Sequence, residues 1–309
     1  MISRKEFIKQ SAYLAAGSTW LAGWGSLAVN DFEGASITIL YTNDTHSRLD
    51  PFPSNAREFS GLGGIAKRSS LVNKIRAEED HVLLLDAGDV FQGTPWFDVY
   101  GGKVDFELMS EMGYDAMAIG NHEFDLGLEG FAEAAQLANF PFLAANYSTL
   151  NTPIHPFVKR QIIKEFDGFK IGIFGLGIQF DGVIDRSLHE GVRYRDPSII
   201  SKRVVESLKN FHQCDYVICL SHLGYQYEGN RIDDVKLAGS VSGIDLIIGG
   251  HTHTFLEEPV PVENPDGSNT LITQMGHGGV HLGRIDLKVS DESEKPTITS
   301  QYYTIGEEI

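Results

Sequence analysis

The stretch "DLIIGGHTHTF", residues 245–255, decides how this chain is read. Leu246, Ile247 and Ile248 form an apolar core typical of a strand covered on both faces, and Gly249 and Gly250 end it. His251 and His253 follow, with only Thr252 between them. Two imidazoles at the tip of an apolar strand point to a ligand site at the carboxyl edge of an α/β sheet, where loops from neighbouring strands converge.

The same arrangement recurs along the chain. "ITILYT" (37–42) runs into Asp44 and His46, "VLLLDA" (82–87) into Asp89, "AMAIG" (116–120) into Asn121 and His122, and "YVICLS" (216–221) into His222. "FLAANY" (142–147) and "KIGIFGLG" (170–177) complete a set of seven expected strands, five of which deliver a metal-competent side chain just past the end. Helical periodicity falls between them, over 63–79, 104–113, 129–139, 197–211 and 233–241. Gly113 is placed to stop the second helix and Pro197 to open the fourth. The tail alternates apolar and polar residues over 270–276, 280–290 and 296–305, which predicts antiparallel strands joined by "PDGSN" and "DESEKP" turns. The expected fold is one α/β domain of packed mixed sheets with helices outside.

Asp44, His46, Asp89, Asn121, His222, His251 and His253 form an oxygen and nitrogen set without cysteine, which suits Zn, Mn, Fe or Co. Seven ligands exceed one ordinary site and suit two cations roughly 3.5–4 Å apart. A carboxylate can bridge two ions through its two oxygens, and Asp89 is the expected bridge. His81, His155, His189, His212, His277 and His281 are read as ordinary loop or core histidines.

Charge narrows the partners. The 309 residues carry a formal net charge of −17, so a basic nucleic-acid-binding face is excluded. A phosphorylated substrate would need local positive charge, which two divalent ions would supply. Residues 1–28 read as an export signal: "SRKEFIK" is followed by an uncharged stretch and a small-x-small end at Ser26-Leu27-Ala28. The segment resembles a twin-arginine signal with Lys5 in the place of the second arginine. Glycines, serines and threonines interrupt 17–26, a poor pattern for a spanning helix, and no other apolar stretch is long enough to cross a membrane. The expectation is a periplasmic or cell-envelope protein, free of the membrane once the signal is removed, with its catalytic domain over 29–309. Cys214 and Cys219 are an odd number apart, so on one strand they would face opposite sides, and both read as buried thiols.

"LYTNDTHSRL", "LLLDAGDVFQGTPWF", "AMAIGNHEFDLG", "VICLSHLGY" and "IIGGHTHT" together resemble the calcineurin-like metallophosphoesterases, and within them the 5′-nucleotidase branch. The resemblance implies a four-layer α/β/β/α sandwich with a di-metal centre between the sheets. It implies that Asp44, His46, Asp89 and His253 hold one ion, and Asp89, Asn121, His222 and His251 the other. His253 stands where 5′-nucleotidases often have Gln. Ser47 and Arg48 follow "DTH", where relatives commonly have Gly. His122 and Asp125 resemble the family's catalytic pair, with Asp125 orienting the imidazole. Glu123 is read as structural or solvated, and Gln92, Gly93 and Thr94 as shaping the loop behind Asp89.

The implied reaction is hydrolysis of nucleotide phosphomonoesters, with a metal-activated hydroxide attacking phosphorus in line and His122 assisting the leaving oxygen. Broader substrates are the alternative: 2′,3′-cyclic nucleotides, nucleotide-sugars or simple monoesters. A non-catalytic metal-binding or interaction protein is the reading from another class. Full-length 5′-nucleotidases carry a second, C-terminal domain that grips the nucleoside. The sequence therefore resembles the catalytic half, with a separate substrate-binding polypeptide or a broader substrate range as the two expectations.

Overall fold

The structure, a computed structural model, describes residues 35–290 and 295–307, so the expected export signal lies outside the described residues. The chain begins β1 (Ser36–Thr42), α1 (Ile65–Glu78), β2 (Val82–Asp86), α2 (Pro95–Tyr100), α3 (Lys103–Met112) and β3 (Ala116–Ala118). A 3-10 turn (His122–Phe124) leads to α4 (Gly127–Ala135), then β4 (Phe142–Leu143), β5 (Tyr147–Ser148), β6 (Val158–Lys159), β7 (Gln161–Phe166) and β8 (Phe169–Leu176). The remainder is β9 (Arg193–Tyr194), α5 (Pro197–Glu206), β10 (Tyr216–Ser221), α6 (Asp234–Ala238), β11 (Leu246–Gly249), β12 (Val260–Glu263), β13 (Asn269–Thr273), β14 (His281–Lys288) and β15 (Thr297–Thr304).

Two mixed sheets pack face to face. One has seven strands in the order β15-β14-β1-β2-β3-β4-β6, the other six in the order β12-β13-β11-β10-β8-β7. Strand alternation builds the layers. Ile37, Ile39, Leu83 and Leu85 of the first sheet meet Ile171, Ile173, Ile218, Leu220, Leu246 and Ile248 of the second. The opposite faces of the same strands carry Leu40 and Leu84 into a layer with α1, α3 and α4. Val217, Cys219 and Ile247 point instead into a layer with α5 and α6. Both faces of the central strands are thus covered, which is why they read as continuous apolar runs. The result is the expected four-layer α/β/β/α sandwich.

β1, β2 and β3 run parallel, as do β8, β10 and β11, so each set ends at one edge of its sheet. Asn43 ties the two edges together: its Nδ2 donates to Gly276 O at 2.7 Å and its Oδ1 accepts from Met275 N at 2.8 Å. The Tyr41 and Thr273 hydroxyls bond across the sheets at 2.8 Å.

Three expectations are corrected. "FLAANY" is not one strand, because Ala145 N donates to Gly175 O at 2.7 Å and Asn146 bonds both backbone groups of Gly177, which draws the chain toward the second sheet after Leu143. The tail is not wholly antiparallel: β13 pairs parallel with β11, while its antiparallel partner is β12 at the sheet edge. Cys214 precedes β10, so the odd spacing does not apply, and both free thiols lie in the α5/α6 layer.

Candidate metal centre

The Gly249-Gly250 end of β11 has a structural cause. A Cβ added at Gly250 would meet His222 Nδ1 at 2.8 Å and Asp44 Oδ2 at 3.0 Å. Only glycine lets the end of β11 pass between these side chains and turn His251 and His253 back over the site. Gly120 serves likewise at the end of β3, where a Cβ would stand 2.2 Å from Asp89 Oδ1.

The strand ends bring all seven expected ligands to one place. Asp89, His222 and His251 present donor atoms within 4.8 Å of one another, and so do Asp44, His46 and His253. Asn121 joins the first group, with its Oδ1 2.7 Å from His251 Nδ1. Asp89 connects the groups electrostatically, acting on His46 as well as on His222 and His251.

The donor set fits divalent cations. His46 Nε2 and His253 Nε2 face each other at 2.9 Å, and His222 Nε2 lies 3.0 Å from Asp89 Oδ2. Ligand atoms about 2.0–2.2 Å from a shared ion stand roughly 3 Å apart, the spacing found here. His222 Nδ1 bonds Ala87 O at 2.7 Å and His46 Nδ1 bonds Phe91 O at 3.1 Å, so backbone carbonyls turn both Nε2 atoms inward. His222 Nε2 is buried and, although it faces Asp89 Oδ2, makes no well-directed hydrogen bond.

Backbone strain concentrates at the same residues. Asp44, His46, Asp89, His251 and His253 all have positive φ, between 48° and 72°. Each such residue costs of order 1–3 kcal/mol and persists only where its surroundings fix it. The surroundings are visible. Glu123, fully buried, accepts from Val90 N at 2.8 Å, Asp89 N at 3.1 Å, Phe91 N at 3.3 Å and Gly120 N at 2.6 Å. Asp44 accepts from His251 N at 3.0 Å. Gln274 holds the last loop, accepting from Thr252 Oγ1 and Thr254 N and donating to Gly250 O.

Glu123, Asn43 and Gln274 were not expected to carry the site. Glu123 shared a motif with the ligands, but nothing in its spacing marked burial. His277, read as an ordinary loop residue, stacks on His253 with ring centroids 4.7 Å apart.

Charge follows the geometry. Burial opposes ionisation of His222, but adjacent Asp89 outweighs it and pushes the imidazole up to about 10. Burial likewise opposes ionisation of Asp89, and the His222 charge holds it well below the carboxylate range. Burial and the His222 charge pull His251 down to about 4. Burial and the charge of Asp89 push Glu123 up to about 7. His122 Nδ1 lies 2.8 Å from Asp125 Oδ2, and its ring is T-shaped to His46 at 5.3 Å. Burial works against protonating His122, but the Asp125 hydrogen bond and the charges of Asp89, Asp125 and Glu123 raise it above the ordinary value.

Comparison with known proteins agrees with this geometry. The sequence pattern of the calcineurin-like phosphoesterases matches residues 37–255. The snake venom 5′-nucleotidase of Gloydius brevicauda is 32% identical over 299 residues, covering 90% of this chain and 49% of that protein. The trifunctional nucleotide phosphoesterase protein YfkN of Bacillus subtilis is 33% identical over 288 residues, 83% of this chain and 18% of that protein. The crystal structure of the 5′-nucleotidase precursor from Thermus thermophilus superposes with a TM-score of 0.78 at 30% identity, over 87% of this chain and 54% of that one. The chain thus spans about half the length, or less, of the relatives it matches. With the family pattern matched over residues 37–255 and the same fold in a relative of 30% identity, the chain belongs to the calcineurin-like phosphoesterases.

Proposed function

We propose that this chain hydrolyses nucleoside 5′-monophosphates at the paired metal centre. The observation that carries the reading is the placement of His122, held by Asp125, directly beside two convergent ligand groups, one of which contains Asp89. Asp44, His46, Asp89 and His253 are assigned to one cation, and Asp89, Asn121, His222 and His251 to the other. When bound, such ions supply charge neutralisation at the phosphate oxygens and acidify a coordinated water.

The remaining work falls to the chain's own groups. Asp125 fixes the His122 ring through Nδ1, which leaves Nε2 to face the substrate. A protonated His122 donates to the phosphate or to the leaving alkoxide, stabilising charge that develops as the ester bond breaks. Glu123 holds the Asp89 loop, and Ala87 O and Phe91 O orient the two ligating imidazoles. Covalent catalysis by cysteine is disfavoured because Cys214 and Cys219 are buried in the outer layer, and burial raises both thiols.

The names of the relatives support a nucleotide as substrate, and the trifunctional nucleotide phosphoesterase of Bacillus supports the broader reading in which more than one kind of phosphoester is cleaved. We assign recognition of the nucleoside end to more than the metal centre alone, with a separate polypeptide as one source. Export to the cell envelope is retained as part of the reading. No helix among the described residues is long and apolar enough to cross a membrane.

A panel of phosphoesters with added Mn²⁺, Zn²⁺ or Co²⁺, with a chelator control, tests the function. Chelator-sensitive release of phosphate from nucleoside monophosphates is expected. A chain that binds the ions and cleaves no member of the panel is a binding protein instead.

A further inference from the structure

Glu123 does not hold every strained ligand loop. Asp44, His46 and Ser47 have φ of 48°, 49° and 46°, and the Glu123 bonds go to Asp89, Val90, Phe91 and Gly120 instead. On one side the Asp44–Ser47 loop bonds its neighbour: Asp44 N donates to Gly88 O at 2.8 Å, His46 N to Asp89 O at 3.1 Å and Ser47 N to Val90 O at 2.6 Å. On the helix side it meets a buried charge cluster that the proposed reaction does not use.

Arg68 of α1 is 3% exposed, and Asp86 of β2 and Asp105 of α3 are 0% and 2% exposed. A Cβ added at Gly279 would stand 2.3 Å from Arg68 Nη1 and 3.7 Å from Thr45 Cγ2. Gly279 is thus flanked by the guanidinium and by the residue between Asp44 and His46, and its neighbour Gly278 donates N–H to Asp44 O at 2.7 Å. The Ser47 hydroxyl meets the Asp105 carboxyl. Asp86 accepts from Thr42 Oγ1 at 2.6 Å and from Gly88 N at 2.8 Å. Burial pushes Asp86 and Asp105 up to about 7, against these hydrogen bonds and the Arg68 charge, which pull both down. Arg68 Nε and Asp105 Oδ2 are buried without a hydrogen-bond partner among the described residues, so Arg68 acts on Asp105 through its charge.

We propose that Arg68 and Asp105 are positioning residues, which brace the Asp44–Ser47 loop from the helix side and hold Asp44 and His46 in the geometry that binds an ion. The inference rests on the assignment of Asp44, His46 and His253 to one cation, and not on the identity of the substrate. Strained backbone persists only where its surroundings over-determine it. Asp44 and His46 are both strained and both ligands, so relaxation of this loop moves ligand atoms before it unfolds anything. Glu123 supports the Asp89 loop in the same way, so the two ligand groups have separate supports that mutation can separate.

Calorimetric titration of the metal-stripped full chain with Zn²⁺, beside thermal unfolding of the same samples, tests the brace. His253→Ala and His222→Ala identify which binding event belongs to which ligand group. Arg68→Met should weaken the event of the Asp44 group about 10- to 100-fold, the usual effect of removing a residue that supports a ligand, and leave the other event within a few-fold. It should also lower the unfolding temperature, because Asp105 is left buried without its cation. The double variant Arg68→Met/Asp105→Asn separates position from stability. Asp86 keeps its bonds from Thr42 and Gly88, and no carboxylate at position 105 remains opposite the lost guanidinium. The unfolding temperature should therefore return toward the wild-type value while the affinity of the Asp44 group stays low. Affinity that merely follows stability, with both recovered or both still low, overturns the proposal, as does equal weakening of the two events. If Arg68→Met does not fold, the double variant decides by the same criterion. If both ions bind as expected and no phosphoester is cleaved, the hydrolase reading fails and the brace stands. If nucleotides are cleaved and Arg68→Met leaves both events unmoved, the brace fails and the hydrolase reading stands.

Discussion

The two ligand groups share a chemistry and differ in depth. His222 and Asp89 are 0% and 2% exposed at their side chains, whereas His46 is 14% and His253 40% exposed. The deep group is held by backbone: Ala87 O holds His222, and Glu123 joins three N–H donors of the Asp89 loop to Gly120 N. In the shallow group Asp44 is buried and accepts from His251 N and Asn43 Nδ2, but its two imidazoles rest on one carbonyl under His46 and a ring stack under His253. Without a cation the deep group neutralises itself, with His222 as counter-charge to Asp89. In the shallow group the imidazoles stand farther from their carboxylate, at 3.9 and 3.4 Å from Asp44 Oδ1, and burial lowers His46 below its ordinary value. On the proposed assignment, the deep half retains its ion and the more open half meets solvent and substrate.

Asp89→Asn should break this division most severely. Asp89 is the only carboxylate assigned to both ions, and the amide loses the charge that both groups share. A fall in kcat on the order of 10³-fold is expected, as for loss of a principal electrostatic group. Elemental analysis after dialysis should find both ions depleted. Full retention of the ion on the His46 side would sink the bridging role.

His122→Ala should separate chemistry from metal holding. The contact of His122 with Asp89 runs through its backbone N, which donates to Asp89 Oδ1 at 2.8 Å and survives truncation to alanine. Metal content should therefore stay at the wild-type value while kcat falls by about 10²-fold or more, the usual contribution of a positioned proton donor. Unchanged turnover with retained metal would remove His122 from the reaction.

What the sequence made legible follows the same division between local and distant causes. The ligands could be found because each follows an apolar strand within a few residues, a pattern written locally. The broken "FLAANY" strand could not, because Gly175 and Gly177, some thirty residues on, draw Ala145 and Asn146 away from the sheet. β7 and β12 escaped notice because edge strands are half exposed: "QIIKEF" and "VPVE" lack the continuous apolar run of the central strands. Nothing marked Asn43, just past one expected strand, or Gln274, inside another, since their value lies in partners more than twenty positions distant. For the same reason the sequence left Glu123 open between a structural and a solvated role.

Glu123→Gln then tests how the deep group is kept. The carboxylate accepts four backbone N–H bonds, and the glutamine amide replaces one acceptor oxygen with a donor facing those same N–H groups. Metal affinity at the deep group should fall about 10- to 100-fold, as for loss of an outer support in other metal sites. The metal-free chain should lose roughly 1–3 kcal/mol of stability from the unsatisfied donors. Calorimetric titration with Zn²⁺ beside thermal unfolding of the metal-free protein measures the two separately. A drop in stability with unchanged metal affinity would make Glu123 a structural group only.

The smallest effect belongs at the exposed end. His253 contributes one ring nitrogen to the shallow group, 3.4 Å from Asp44 Oδ1, and His277 stacks beneath it. Glutamine can offer a carbonyl oxygen from the same position, so His253→Gln should preserve activity within a few-fold. The exchange of nitrogen for oxygen should shift preference from Zn²⁺ toward Mn²⁺, because imidazole suits zinc and a carbonyl suits manganese. Competition between the two ions, read by elemental analysis, should show the shift in the shallow group only. An equal shift in both groups would mean that His253 acts through the whole centre, and the contrast between a retained and an exchangeable ion would then be lost.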